Sequence, residues 1–169
     1  MSDAKRAKFL GKSITPMTER RLRNFRANRR GFISLWIFLV IFVLTLFAEF
    51  IANDKPLLVT YQGSAYFPVF KTYPETVFGG DFETEAEYRE SDVQELITSK
   101  GGKLYWPLIR YSYGTVNLEM KTPAPSPPNA ENWLGTDDQA RDVVARLIYG
   151  FRISVLFGLT LTIFSSIVG

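Results

Sequence analysis

The sequence contains no histidine and no cysteine among its 169 residues. It therefore has no His-based catalytic triad, no thiol nucleophile, no His/Cys metal cluster and no disulfide framework. Its one echo of a phosphate-binding loop, Gly11-Lys12-Ser13, has Arg6 where the motif needs its first glycine, and no strand precedes it. We therefore predict no catalytic residue, no cofactor and no metal, and predict that the chain is not itself an ATPase.

The sequence does contain long apolar runs. In residues 32–51, fifteen of twenty residues are Leu, Ile, Val or Phe, and the only charge, Glu49, lies near the end. A helix of twenty residues rises about 30 Å, which is the thickness of the hydrocarbon core. The run is longer than a signal-peptide core and no small-residue cleavage site follows it. Residues 31–51 are therefore predicted to form a transmembrane helix.

Basic residues are concentrated before this run. Residues 1–30 carry ten basic and two acidic side chains, and six arginines stand next to the run: Arg20, Arg21, Arg23, Arg26, Arg29 and Arg30. Basic residues beside a span favour the cytoplasmic side and attract anionic lipids. Residues 1–30 are predicted to be a cytoplasmic tail that contacts membrane lipids. A nucleic-acid-binding arm is the alternative, and the neighbouring span argues against it.

The polar segment after the first run is predicted to be a small α+β periplasmic insertion over residues 52–130. Two β-prone segments, 57–61 and 66–70, flank a Gly-containing turn and predict a hairpin. Thr84 and Glu87 fit a capping box for a helix that would continue to about Ser99, where Gly101-Gly102 would stop it. Four prolines in residues 122–129 predict an extended linker.

Two sets of side chains in this segment can be given either a structural or a functional interpretation. A row of acidic residues could bind a cation but lacks the pattern of a calcium loop, so we predict a solvated helix face: Asp81, Glu83, Glu85, Glu87, Glu90, Asp92 and Glu95. A row of aromatic residues could form a substrate surface, and we predict instead that it fills a core or lies at the membrane interface: Tyr61, Tyr66, Phe67, Tyr105, Trp106, Tyr111 and Tyr113.

Residues 131–152 are predicted to form a turn and an amphipathic helix along the outer membrane surface. Gly135-Thr136-Asp137-Asp138 is typical of a turn that starts a helix, with Thr136 or an Asp as the cap. One apolar face recurs at helical spacing: Val143, Val144, Leu147, Ile148 and Phe151. Asp142 and Arg146, four residues apart, are predicted to form a weak surface ion pair.

A second apolar run, residues 153–169, follows without a turn signal and predicts the start of a second transmembrane helix. Small side chains recur every four residues on it: Ser154, Gly158, Thr162 and Ser166. Such a stripe lets helices approach closely, so we predict that it packs against a partner helix. Seventeen residues reach only about 25 Å, so we expect these residues to be the front part of a larger multi-span protein.

The stretch WLGTDDQARDVVARLIYGFRIS resembles the segment before the second helix in permease subunits of bacterial peptide ABC importers. Residues that fit the family pattern are Leu134, Gly135, Thr136, Asp137, Arg141, Asp142, Arg146, Gly150, Arg152 and Ser154, while Ala140 replaces its usual glycine. The stretches NRRGFISLWIF and ANDKPLLVTYQGSAYFPVF also resemble Yej-type permeases, which are associated with peptide and microcin C uptake.

The resemblance implies a mainly α-helical, multi-pass protein of the bacterial inner membrane. Its implied partners are a second permease subunit, ATPase subunits and a periplasmic peptide-binding protein, with no nucleic acid. The motif residues from Gly135 to Ser154 would shape the outer gate region, and the family's cytoplasmic coupling loop would lie beyond the second helix. A membrane-anchored extracytoplasmic sensor or binding module is the alternative, but it leaves the small-residue stripe without a purpose. A membrane-anchored hydrolase would need an activating base that this sequence supplies poorly.

Overall fold

The computed structural model describes residues 8–9, 12–13, 15–118, 120 and 122–169. Two compact units divide the chain, Met1–Val43 and Leu44–Gly169. Most of the predicted cytoplasmic tail before Thr15, including Gly11 of the phosphate-loop echo, lies outside the described residues.

The first unit contains a short antiparallel strand pair and two helices. Strand β1 is Lys8–Phe9 and strand β2 is Lys12–Ser13. Helix α1, Pro16–Ala27, begins at a favourable N-terminus, because Thr15 caps it and a proline occupies its first turn. Helix α2, Arg29–Leu46, follows at once, and the Asn28 side chain accepts a hydrogen bond from the backbone N–H of Gly31. Helix α2 is long and apolar enough to cross a membrane.

The predicted helix over residues 31–51 is interrupted near its end. Phe47 leaves the helical conformation, and a separate short helix α3 spans Ala48–Ile51. Ala48, the first residue of α3, and Ala52, the residue after it, are fully buried in a cluster with Ala145 and Tyr149. The end of the apolar run is thus occupied with packing inside the second unit, which a continuous helical pattern in the sequence does not reveal.

A three-stranded antiparallel sheet forms the first part of the second unit. Its strands are β3 (Leu58–Tyr61), β4 (Ser64–Tyr66) and β5 (Lys103–Tyr105), in the order β4-β3-β5. A hairpin is confirmed, but its turn has two residues where four were predicted, and its second strand is Ser64–Tyr66 instead of residues 66–70. Gln62 and Gly63 both have positive φ, +47° and +79°, as a tight turn matched to the strand twist requires.

Helix α4, Ser91–Ser99, starts later than the capping box predicted. The Thr84 carbonyl accepts a hydrogen bond from the backbone of Glu75, and residues 74 and 85 form a β-bridge, so this segment pairs with the chain before it. Backbone pairing across the intervening 3-10 helix, Glu75–Phe78, has replaced the expected helix start. Most of the acidic row consequently lies outside α4, and the prediction of one acidic helix face was wrong. The stop at Gly101 is confirmed, since its φ is +77°.

The core beside the sheet is built around Phe78. This side chain is fully buried, and its ring meets the rings of Tyr61, Tyr66 and Tyr88 edge-to-face at centroid distances of 5.4–5.7 Å. Burial, with a smaller contribution from the nearby Glu85 carboxylate, raises the pKa of the Tyr88 hydroxyl. The prediction that aromatic residues fill a core is confirmed for four of them: Tyr61, Tyr66, Trp106 and Tyr111. The other three are exposed, and for them a place at the membrane interface stays a prediction: Phe67, Tyr105 and Tyr113.

The last helix, α5, spans Val143–Val168 without interruption and is also long and apolar enough to cross a membrane. The separate interfacial helix predicted up to residue 152 is therefore not a distinct element. The polar stretch of 131–142 is a loop, and everything after it belongs to one helix. Neither Gly150 nor Gly158 breaks α5, because a helical backbone accommodates isolated glycines at a cost of only about 1 kcal/mol each.

Candidate functional site

The candidate site is the loop of residues 126–142, called here the motif loop, together with the first turns of α5. Gly135 occupies its tightest point, with φ of +76°. A Cβ atom at this position would stand 2.2 Å from the Ser126 carbonyl oxygen. No other residue fits, because a side chain would meet backbone that cannot move aside and the left-handed conformation would strain it.

Thr136 joins the two ends of the motif loop. Its backbone N–H donates to the Ser126 carbonyl at 3.1 Å, and its hydroxyl oxygen accepts from the Ser126 N–H at 3.0 Å. Both residues are buried. The proline-rich segment predicted as a linker is thus tied to the motif by backbone hydrogen bonds, since Ser126 lies within it. Thr136 therefore closes part of the loop through hydrogen bonds and does not cap a helix.

Asp142 is the actual cap of α5. Its Oδ1 accepts from the Ala145 N–H at 2.7 Å, and its Oδ2 accepts from the Asn132 side-chain amide at 2.9 Å. The residue is 1 % exposed. The predicted surface ion pair between Asp142 and Arg146 is therefore wrong, because a buried carboxylate is needed to satisfy the free N–H groups of the helix start.

Asp137 holds the two arginines of the motif. Its Oδ1 accepts from the backbone N–H groups of Gln139 and Arg141, each at 2.9 Å. Its Oδ2 accepts from Arg141 Nε at 2.9 Å and also pairs with the guanidinium of Arg146. Burial favours the neutral carboxyl, but these hydrogen bonds and the Arg141 charge outweigh it and lower the pKa of Asp137 to about 2. The carboxylate is therefore ionised at any physiological pH.

Ala140 stands where the family pattern has glycine, and its φ is +59°. Its N–H donates to the Asp137 carbonyl at 3.1 Å, and its own carbonyl accepts from Asn117 at 2.9 Å. The loop thus keeps the left-handed conformation that a glycine adopts freely, although the residue is alanine. The alanine therefore carries a strain at this turn that a glycine would avoid.

The first turns of α5 are joined to the segment around α3. Arg152 donates from Nη1 to both carboxylate oxygens of Glu49 at 2.9 Å, and its guanidinium lies 4.9 Å from the centre of the Tyr149 ring. The Tyr149 hydroxyl donates to the Ala52 carbonyl at 2.9 Å. These contacts, with the buried pair Ala48 and Ala145, join the short helix α3 to the start of α5 and are called here the α3–α5 clamp.

The small-residue stripe is exposed along α5. The Thr162 hydroxyl donates to the Gly158 carbonyl, and the Ser166 hydroxyl donates to the Thr162 carbonyl, each at 2.8 Å. Both hydroxyls are turned onto their own helix, which satisfies them in an apolar surrounding and keeps the stripe narrow. That it packs against another helix stays a prediction.

Several residues of this site carried no signal in a single sequence. Asn132 and Ser126 are polar residues in a proline-rich segment, and nothing in the pattern marks them as buried. Glu49 did carry a signal in the sequence, because a single acidic residue in an apolar run predicts a basic partner. Arg152 is the arginine nearest the second apolar run. Within the described part of the chain, no three acidic side chains come together as a metal site.

Comparison with known proteins defines the class. A family model described as the N-terminal TM domain of oligopeptide transport permease C matches residues 17–68. The oligopeptide transport system permease protein OppC of Bacillus subtilis is 38% identical over 60 residues, which cover 36% of this chain and 19% of that protein. The chain therefore resembles permease components of peptide ABC transporters.

Within that class, two relatives match over 92% of the chain. The peptidoglycan transport system permease protein YejE of Agrobacterium fabrum is 51% identical, and the inner membrane ABC transporter permease protein YejE of Escherichia coli is 50% identical. The resemblance to Yej-type permeases is thus confirmed. The matches cover 47% and 46% of those relatives, so the chain spans about half the length of the curated relatives it matches. No solved structure matches the chain.

Permease components of this class are membrane channel subunits and not enzymes, and ATP hydrolysis belongs to a separate subunit. The contacts of the motif residues are architectural: Gly135 and Thr136 close the motif loop, Asp142 starts α5, and Arg152 takes part in the α3–α5 clamp.

Proposed function

We propose that this chain belongs to the transmembrane permease subunit of an ATP-driven peptide importer in the bacterial inner membrane, with microcin C as a candidate cargo. The observation that carries the proposal is the α3–α5 clamp, in which Arg152 of the family motif, on a helix long enough to span a membrane, pairs with Glu49. The roughly 50% identity to YejE permeases over 92% of the chain supports the same function.

The proposed topology places the N-terminus in the cytoplasm and residues 52–142 in the periplasm. Six arginines before α2 support it, because basic residues are retained on the cytoplasmic side. Reporter fusions at position 10 and at position 100 test it, since the two should report opposite sides of the membrane. A cytoplasmic signal from position 100 would overturn the topology.

The motif residues are proposed to shape the outer gate by fixing where α5 leaves the periplasmic surface. Glu49 and Arg152 join the outer ends of the two candidate spans, so these ends would move together when the gate opens. Arg152→Gln should reduce transport while leaving the amount of permease in the membrane unchanged. Lys103→Gln is a control, because it removes an exposed positive charge outside the clamp. Equal transport by wild type and Arg152→Gln would contradict this role.

The implied partners are a second permease subunit, ATPase subunits and a periplasmic peptide-binding protein. The stripe of α5 is the proposed seam with the second permease, because small side chains allow close helix contact. Gly158→Leu should weaken co-purification with that partner, whereas Leu156→Phe should have less effect. Unchanged co-purification of Gly158→Leu would contradict the seam.

Transport itself is tested in bacteria that lack their own Yej-type permease. Expression of the gene that encodes this chain, with its partner subunits, should restore sensitivity to microcin C or growth on an essential peptide. An ATPase subunit with an inactivated phosphate-binding loop provides the negative control. If membrane-inserted protein restored neither peptide use nor microcin C sensitivity, the importer function would be wrong. If peptide use were restored without microcin C sensitivity, only microcin C would be excluded as a cargo.

A further inference from the structure

A cleft of about 450 Å³ opens in the second unit beside the motif loop. One wall comes from the region around α4 and β5, with Arg89, Trp106 and Arg110, and the other includes Glu131 and Trp133 from the motif loop. Its volume lies within the range of cavities that hold small ligands, about 300–1,000 Å³. The cleft therefore lies where the polar insertion meets the family motif.

Two guanidinium groups are held in this cleft by aromatic rings. The Cζ atom of Arg89 lies 4.2 Å from the centre of the Tyr111 ring, and that of Arg110 lies 5.5 Å from the centre of the Trp106 ring. Arg89 also donates from Nη1 to the Arg110 carbonyl at 2.5 Å. These contacts use ring faces and one N–H, so most of the hydrogen-bond donors of both guanidiniums stay available.

In the part of the chain that the structure describes, neither arginine forms an ion pair. Among the described residues, the ion pairs of this structure involve other basic groups, and no carboxylate lies within 4.0 Å of Arg89 or Arg110. Two adjacent unpaired guanidiniums favour an anion, and a planar carboxylate fits a guanidinium with two parallel hydrogen bonds.

The other residues that line the cleft restrict the chemistry of the ligand beyond its negative charge. Leu108 is 69% exposed and Trp133 is 50% exposed, so both offer apolar surface to a ligand. Glu131 adds a single negative charge to the same cleft. A ligand that satisfies all of these groups has a carboxylate beside an apolar side chain and an ammonium at some distance. A short peptide with free ends has this chemistry.

We infer that this cleft binds the C-terminal residue of a short peptide, with the carboxylate on Arg89 and Arg110 and an apolar side chain against Trp133 and Leu108. The site would hold peptide at the mouth of the permease, outside the membrane. The inference rests on the proposed function only in its choice of a peptide as ligand.

The three tryptophans of the chain make the test direct. Two of them, Trp106 and Trp133, line the cleft, and the third, Trp36, is in α2. In the 169-residue chain carrying Trp36→Phe, reconstituted in lipid nanodiscs, tryptophan emission therefore reports on the cleft alone. The probe is the tripeptide Ala-Ala-Leu, which does not itself fluoresce at these wavelengths.

We expect a saturable emission change with the free-acid tripeptide and at least a ten-fold higher Kd for its C-terminal amide. Arg110→Gln should raise the Kd at least five-fold, while Lys103→Gln, an equal change of charge outside the cleft, should leave it unchanged. Circular dichroism confirms that each variant is folded. Because Arg89 also contacts the backbone, Arg110 is the more informative position.

Equal affinity for acid and amide, or no saturable change, would overturn the site. Tighter binding of an amidated tripeptide with an internal aspartate would also overturn it, because it would point to an acidic protein surface as the occupant. If the tripeptide does not bind but peptide uptake is intact, only the proposed cleft site is wrong. If the tripeptide binds but peptide uptake fails, the proposed importer function is wrong instead.

Discussion

The Phe78 core and the motif loop are two buried regions of the same unit that are stabilised in different ways. Around Phe78, aromatic rings pack edge-to-face and apolar area is removed from water. In the motif loop, the buried side chains are polar, and each is paired through individual atoms: Ser126, Asn132, Thr136 and Asp142. Apolar contacts are non-directional and tolerate exchange, whereas buried hydrogen bonds fix both residue type and position. Substitutions should therefore be tolerated less well in the motif loop than their small change in apolar area would indicate.

The largest expected effect is on the core. Phe78→Ala should lower the free energy of unfolding by about 3–5 kcal/mol, because it removes a buried ring and leaves a cavity. Denaturant unfolding of the purified chain in detergent, followed by near-UV circular dichroism, measures it. Phe82→Ala is the matched control, since Phe82 is 65% exposed and should change stability little. Equal losses from the two variants would contradict the assignment of Phe78 as the core centre.

In the loop, Gly135→Ala should lower the free energy of unfolding by about 2–4 kcal/mol, because strain and a backbone clash act together. Gly63→Ala separates the two causes. Gly63 has a φ of +79° but open space around its Cβ position, so only conformational strain of about 1 kcal/mol is expected. Similar losses at both positions would mean that the contact with Ser126 contributes nothing.

Asp137→Asn should lower the free energy of unfolding by about 1–2 kcal/mol at neutral pH, because the ion pairs with Arg141 and Arg146 are lost. The asparagine side-chain oxygen can still accept from the backbone N–H groups of the loop. Since folding lowers the pKa of Asp137 from 3.8 to about 2, the unfolded chain binds a proton more readily. The stabilisation is thus fully present above about pH 4 and is lost as pH falls toward 2. A stability difference between wild type and Asp137→Asn that persisted below pH 2 would not come from this carboxylate.

The smallest effect is expected at Ala140. Ala140→Gly should raise the free energy of unfolding by up to about 1 kcal/mol, because relief of the left-handed strain is partly offset by the greater freedom of glycine in the unfolded chain. Ala140→Val should instead lower it, since a β-branched residue tolerates this conformation poorly. A thermal melt of the three proteins gives the order. A wild-type Tm above that of Ala140→Gly would contradict the strained turn.

Local signals in the sequence predicted the local features of the fold. The hairpin turn at Gln62-Gly63 and the helix stop at Gly101 both follow from backbone preferences of a few adjacent residues. The capping box at Thr84 failed because a backbone pairing with Glu75 competed with it. The pairing of Asp142 with Arg146 failed because helical spacing says nothing about burial, and Asn132, ten residues away, decided the partner.

The sequence by itself determined that this protein has two apolar helices of membrane-spanning length and no histidine or cysteine chemistry, since composition and run length settle both. Its motif also identified the permease class. Only the tertiary structure decided that Glu49 meets Arg152 across 103 residues and that α5 is one helix capped by Asp142. It also decided that two arginines face a cleft beside the motif loop. Such contacts join distant parts of the chain, and their partners are chosen by packing and burial, which no local pattern encodes.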